Sequence, residues 1–249
     1  MHLLRLDADT PLGDRELEEL YAYPPDLTRP WIQVNFVASA DGAASAGGKS
    51  AGLSHPADKK IFALGRDLAD VVLVGAGTAL VEGYRGVKPT EVRAERRTRL
   101  GLGEVPPIAV VSGRCSVGPE SPLVTDTRVP TIVVTTATAP AARRADLVAA
   151  GADVVVAGED RVDLRRALDA LADRGLLRVC CEGGPTLFAD MVAAGLVDQL
   201  CLTVAPLLTG AGAPRIAEGV AGREPLPLEL VSALTEDGFL MLRYRRPAS

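Results

Sequence analysis

Apolar and polar positions follow two rhythms that alternate along most of this chain. Short apolar runs recur at Trp31–Val37, "DVVLVG" (70–75), "IAVV" (108–111), "TIVVTT" (131–136), "DVVVAG" (153–158), Leu176–Cys181 and "QLCLTVAPLL" (199–208). Runs of this length, bounded by turn-forming residues, predict buried strands. Between them the spacing turns helical. Residues 14–22 predict a short helix, and Ser54 predicts an N-cap for a helix with Pro56 in its first turn, running to about Leu68. "PAARRADLVAAGA" predicts a helix ending at Gly151, and "VDLRRALDALADRGL" another with Gly175 past its end. Leu187, Met191, Val192 and Leu196 give the last helical stripe. The tail "LPLELVSALTEDGFLMLRYRR" alternates on both sides of Asp237-Gly238 and predicts a β-hairpin.

Strands alternating with helices predict an α/β fold with a mostly parallel central sheet flanked by helices on both faces. The C-terminal hairpin adds antiparallel strands. "TEVRAERRTRLGLGEVPP" (90–107) is mixed in charge and reads as a surface excursion. Neither a repeat nor a linker divides the chain, so residues 1–249 read as a single domain.

Composition narrows the function. With 249 residues and 47% hydrophobic content the chain can bury a large core. A net charge of −5 gives a nucleic-acid partner no electrostatic support. No apolar run reaches the length of a membrane span, and the N-terminal segment lacks the apolar core of a signal peptide. Cys115, Cys180, Cys181 and Cys201 have neither disulfide-framework nor zinc spacing, so the expected setting is the reduced cytoplasm. Two histidines, with no grouped cysteines, support neither a metal site nor a hydrolytic triad.

Candidate chemistry gathers at three strand ends. Strand 31–37 runs into Ala38-Ser39-Ala40-Asp41-Gly42, strand 71–74 into Gly75-Ala76-Gly77-Thr78, and strand 176–181 into Glu182-Gly183-Gly184-Pro185-Thr186. In a parallel sheet these loops share one edge, where α/β folds bind ligands. The glycine pair at 75 and 77 lacks the third glycine of a dinucleotide fingerprint, since Leu80 stands there. Bare backbone amides at a strand–glycine–helix turn suit a phosphorylated planar cofactor. Asp41 could serve as a proton donor if its pKa were raised, or be a simple Asp-Gly turn. Glu182, at the end of a buried strand, needs a partner or a job. Ser112 and Arg114 after "IAVV" form either a further phosphate contact or a solvated turn.

Taken together, "NFVASADGAASAGGKS", "GRDLADVVLVGAGTALVEG" and "CCEGGPTLFADMVAAGLVDQLCLTVAPLLTG" resemble the pyrimidine reductases of riboflavin biosynthesis, the reductase half of a bifunctional deaminase-reductase. The resemblance spans residues 30–245 and leaves 1–29 as an N-terminal extension. It implies a dihydrofolate-reductase-like fold, and hydride transfer from NADPH to 5-amino-6-(5-phosphoribosylamino)uracil without a metal. The zinc motifs of the deaminase half do not occur, which implies a stand-alone reductase. By position, Ala38, Gly75, Ala76, Thr78, Glu82, Ser112, Gly183, Gly184, Pro185, Thr186 and Leu187 resemble cofactor contacts. Ser50 and Arg66 resemble substrate contacts, with Arg66 on the substrate phosphate, and Asp41 and Glu182 would face the reacting region. The family's substrate arginine is missing from "LVEGYRGVKPT", so Arg85 or Lys88 would stand in for it. The partners implied are a small phosphorylated pyrimidine and a second copy of the chain, in a homodimer. Two alternatives share the pattern: a related enzyme acting on dihydrofolate or another pterin, and a non-catalytic NADP-binding protein.

Overall fold

The computed structural model describes residues 11–219 and 225–247; the N-terminal reading of residues 1–10 lies outside them. Nine strands form one sheet in the order β5-β4-β3-β2-β6-β1-β7-β9-β8. In chain order these are β1 (Trp31–Ser39), β2 (Val71–Gly75), β3 (Ile108–Val111), β4 (Ile132–Thr135), β5 (Asp153–Val156), β6 (Arg178–Cys181), β7 (Gln199–Ala205), β8 (Glu229–Glu236) and β9 (Phe239–Arg245). Every pairing among β1 to β7 is parallel, and β9 runs antiparallel to both β7 and β8. Asp237 and Gly238, both at positive φ, turn the closing hairpin as their dipeptide predicts.

Alternation along the strands loads both faces. Val34, Leu73, Val134 and Val179 point to one side, where they meet α7 (Leu164–Ala172) and α8 (Pro185–Ala193). Val72, Val74, Val110 and Val133 point to the other and pack with α3 (Ala76–Val81), Leu123 of α5 (Pro122–Thr125) and Leu147 of α6 (Ala141–Ala149). A third cluster joins α1 (Asp14–Tyr21) and α2 (Pro56–Leu68) to Cys201 and Met241 on that second side. All four cysteines are buried and free, as small core residues.

Two local expectations need amending. His55, not Ser54, caps α2: its Nδ1 accepts the Ala57 N–H at 3.3 Å, while the Ser54 hydroxyl donates to Asp58 at 2.6 Å. Segment 90–107 is exposed over about half its length, as expected of a surface excursion, but it is also anchored in the fold. Its helix α4 (Ala94–Arg99) carries two buried arginines. Arg97 donates to the carbonyls of Arg66, Ala69 and Gly103 at 2.7–2.9 Å, and Arg96 pairs with Glu18 and Asp67. Arg97 thereby reinforces the C-terminal end of α2, where the Arg66 carbonyl also accepts the Ala69 N–H at 3.4 Å. A charge-rich string reads as solvated when its partners lie about 30 to 80 residues away.

Candidate active site

The parallel register brings the three glycine-rich strand ends to one edge. Val34 of β1 and Leu73 of β2 both lie level with Cys181 of β6, one residue before Glu182. Above this level opens a cleft of about 550 Å³, walled by α2 on one side and by α3 and the start of α8 on the other.

Glu182 finds its partner in the floor of this cleft. Arg66, projecting from α2, donates through Nε at 2.7 Å and Nη2 at 2.8 Å to the two carboxylate oxygens. The Tyr84 hydroxyl adds a third bond at 2.6 Å. The guanidinium also lies over the Phe62 ring, 4.6 Å from its centroid, and reaches Glu91 at 3.4 Å. The Glu182 carboxylate opposes burial and keeps Arg66 firmly protonated. Burial, and after it the same carboxylate, push the Tyr84 phenol well above its ordinary value, so it stays a neutral donor. Arg66 is thus engaged by two carboxylates, a setting that its expected place on a substrate phosphate did not include.

The Gly183-Gly184 pair is required by the protein's own side chains. A Cβ on Gly183 would lie 2.7 Å from the Phe36 ring, at a φ of +84° that disfavours side chains. One on Gly184 would lie 1.9 Å from the Thr78 hydroxyl. The pair joins the strand ends as well, since Gly183 O accepts the Gly75 N–H at 2.7 Å. The close approach expected of a cofactor is made here by Phe36 and Thr78.

Of the residues singled out from sequence, Ser50, Arg66, Thr78, Glu82, Glu182, Gly184 and Pro185 line the cleft. Glu82 also accepts the Ser50 N–H at 3.0 Å, tying the two walls together. Ala38, Ala76 and Leu187 are core residues, Gly75 and Gly183 support the turn, and Thr186 is exposed on the first turn of α8. Ser112 is buried below the surface, its hydroxyl accepting the Ser116 N–H at 2.8 Å and sharing a 2.9 Å bond with the Ser116 hydroxyl. Lys88 is bound to Asp126 and does not line the cleft, whereas Arg85 does.

Asp41 is the largest departure. β1 continues five residues beyond the Val34–Cys181 level, roughly 16 Å of strand, before its loop begins. There the Ser39 hydroxyl, the Gly210 N–H and the Thr209 N–H bind the carboxylate. They hold its pKa down at about 2, with the Ser39 hydroxyl the largest cause. The pKa is lowered, whereas a proton donor would need it raised, and Asp41 clamps the 39–43 loop to segment 207–210.

Asn35 escaped the sequence reading. It lies on β1 facing α2, is 7% exposed, and lines the cleft. Among the described residues its amide makes no side-chain hydrogen bond. A polar residue inside an apolar strand was the available signal, since buried amides are normally partnered. Among the described residues no cluster of metal-ligating side chains occurs, and no helix is long and apolar enough to cross a membrane.

A ligand cleft at the C-terminal edge of a doubly covered parallel sheet, floored by a buried ion pair, defines a small-molecule-binding α/β protein. Comparison with known proteins makes this specific. Residues 30–238 match the RibD C-terminal domain, and the chain belongs to that family. It is 31% identical over 221 residues to a protein of Archaeoglobus fulgidus named 2,5-diamino-6-ribosylamino-4(3H)-pyrimidinone 5′-phosphate reductase, covering 88% of this chain and 100% of that one. A protein of the same name from Methanothermobacter thermautotrophicus is 31% identical over 183 residues, covering 73% and 80%. The fold matches a pyrimidine reductase-like protein of Corynebacterium diphtheriae with a TM-score of 0.80 at 24% identity, over 94% of this chain and 99% of that one.

Proposed function

We propose that this protein is an NADPH-dependent reductase of a ribosylaminopyrimidine 5′-phosphate in riboflavin biosynthesis. The observation that carries the reading is one cleft with two unlike walls. On the α3 and α8 wall Gly77 has open space where a Cβ would be, and Gly184, covered on its Cβ side by Thr78, stands at the N-cap of α8. The first-turn N–H groups of α8 and its positive dipole end favour a phosphate, and the Thr78 hydroxyl adds a polar group. That donor set fits a phosphorylated dinucleotide. Ser112, with its hydroxyl already engaged, is left out of it. When bound, the reduced nicotinamide supplies the hydride.

The α2 wall and the floor suit the heterocycle. Glu182 accepts three hydrogen bonds from Arg66 and Tyr84, and a carboxylate offers about four acceptor sites, so one remains for a ring N–H. The unengaged Asn35 amide offers both a donor and an acceptor, matching the alternating edge of a pyrimidine. Arg66 and Tyr84 fix Glu182 in place, which is the positioning that a hydride transfer needs. Pairing into a homodimer is part of the reading, supported by exposed Leu230 and Val231 on the edge strand β8. Four buried free thiols and a soluble-metabolite substrate go with a cytoplasmic setting.

The test is NADPH oxidation followed by absorbance, with the diaminopyrimidinone phosphate, the aminouracil phosphate and dihydrofolate offered in parallel. Turnover is expected on one of the two phosphates. Turnover on dihydrofolate alone, or NADPH binding with no turnover, overturns the reading.

A further inference from the structure

Most cations near the cleft are already neutralised. Arg66 is held by Glu182 and Glu91. Arg85 pairs with Glu91 at 2.9 Å and lies 3.9 Å from Asp126. Lys88 is bound to Asp126, outside the cleft lining. An incoming phosphate dianion would compete at each of these with a carboxylate already in place. Lys59 is different: it lines the cleft, is exposed, and among the described residues has neither an ion-pair partner nor a side-chain hydrogen bond.

Its placement along α2 supplies the geometry. Lys59, Phe62 and Arg66 follow one another at helical spacing and all three line the cleft. Lys59 precedes Arg66 by seven residues, two turns, or about 10 Å along the helix axis. A phosphorylated five-carbon sugar attached to a ring at the Arg66–Glu182 end spans that length, passing the Phe62 ring. Across the cleft, Ser45 and Ser50 add hydroxyls that make no side-chain hydrogen bond among the described residues.

We propose that Lys59 binds the substrate's phosphate, with the sugar along Phe62 and the heterocycle at the Arg66–Glu182 pair. The proposal rests on the reading of the cleft as a site for a phosphorylated pyrimidine, and it assigns the anionic end of that substrate to a residue outside the family pattern described above.

Calorimetric titration of ribose 5-phosphate into NADPH-loaded protein tests it, comparing wild type with Lys59→Gln and Lys59→Arg. Lys59→Gln is expected to weaken ribose 5-phosphate about tenfold or more, the scale of one charge-assisted contact, and Lys59→Arg to retain most of the affinity. NADPH affinity stays the same in all three. In turnover, Lys59→Gln raises KM for the phosphorylated pyrimidine but not for its dephosphorylated form. Equal ribose 5-phosphate affinity in wild type and Lys59→Gln, no measurable binding to wild type, or a loss of NADPH affinity instead, overturns the proposal. Lys59-dependent phosphate binding without turnover on any pyrimidine rejects the reductase reading and leaves the phosphate site standing.

Discussion

Arg66 and Glu182, 116 residues apart, meet through two parallel hydrogen bonds of 2.7 and 2.8 Å beneath the cleft. Glu182 extends the short strand β6 and Arg66 sits near the end of α2, so the pair locks the helix wall to the sheet edge. The Glu182 side chain is 1% exposed and that of Arg66 14%.

Removing one partner leaves a charge buried without compensation. Arg66→Ala is expected to destabilise the fold by about 3–5 kcal/mol, because it leaves the buried Glu182 carboxylate without its cation. Arg66→Met combined with Glu182→Gln is expected to recover much of that loss while abolishing turnover. Urea denaturation of the single and double variants measures both effects; a single variant as stable as wild type contradicts the buried pair.

Gly184→Ala sets a methyl group 1.9 Å from the Thr78 hydroxyl. Overpacking of this kind costs about 1–3 kcal/mol. Adding Thr78→Gly is expected to restore most of the melting temperature, because it removes the colliding atoms. If the second change restores nothing, the conflict lies elsewhere.

The Asp41 carboxylate has its pKa lowered to about 2, below the ordinary value of 3.8. A group depressed on folding contributes stability that is present above its unfolded pKa and lost as pH falls through the folded one. Asp41→Asn should therefore be less stable than wild type at pH 7, and the difference should shrink as pH falls from about 4 to about 2. Urea midpoints across that range read it directly. A difference that grows toward low pH contradicts the assignment.

Asn35→Leu keeps a side chain of similar size and removes the amide. Its expected effect is a higher KM for the pyrimidine, by about 1–3 kcal/mol in binding, with NADPH affinity retained. Steady-state kinetics with each substrate varied in turn separates the two, and a purely structural role would move both together.

Much of the fold was legible along the chain because strand and helix periods are local properties. The runs at 70–75, 108–111 and 153–158, the helix stripe after Ser54 and the Asp-Gly hairpin all appear where the pattern puts them, within a few residues. Parallel pairing followed from the alternation of strands with helices. The glycine-rich strand ends were visible too, and the parallel sheet brings them to one edge.

The contents of the cleft were less legible, because partners far apart in sequence decide the state of a charge. Glu182 and Arg66 each looked like a separate, unpaired charge, and each is paired with the other. Arg97 looked solvated and is buried against the carbonyls that end α2. Asp41 looked like a neighbour of Glu182 until the extra length of β1 carried it past that level. Local spacing determines which elements form and which strand ends converge. Side-chain commitments depend on packing across the sheet, where burial penalises every unpaired charge and a few ångströms of strand decide which pairs can meet.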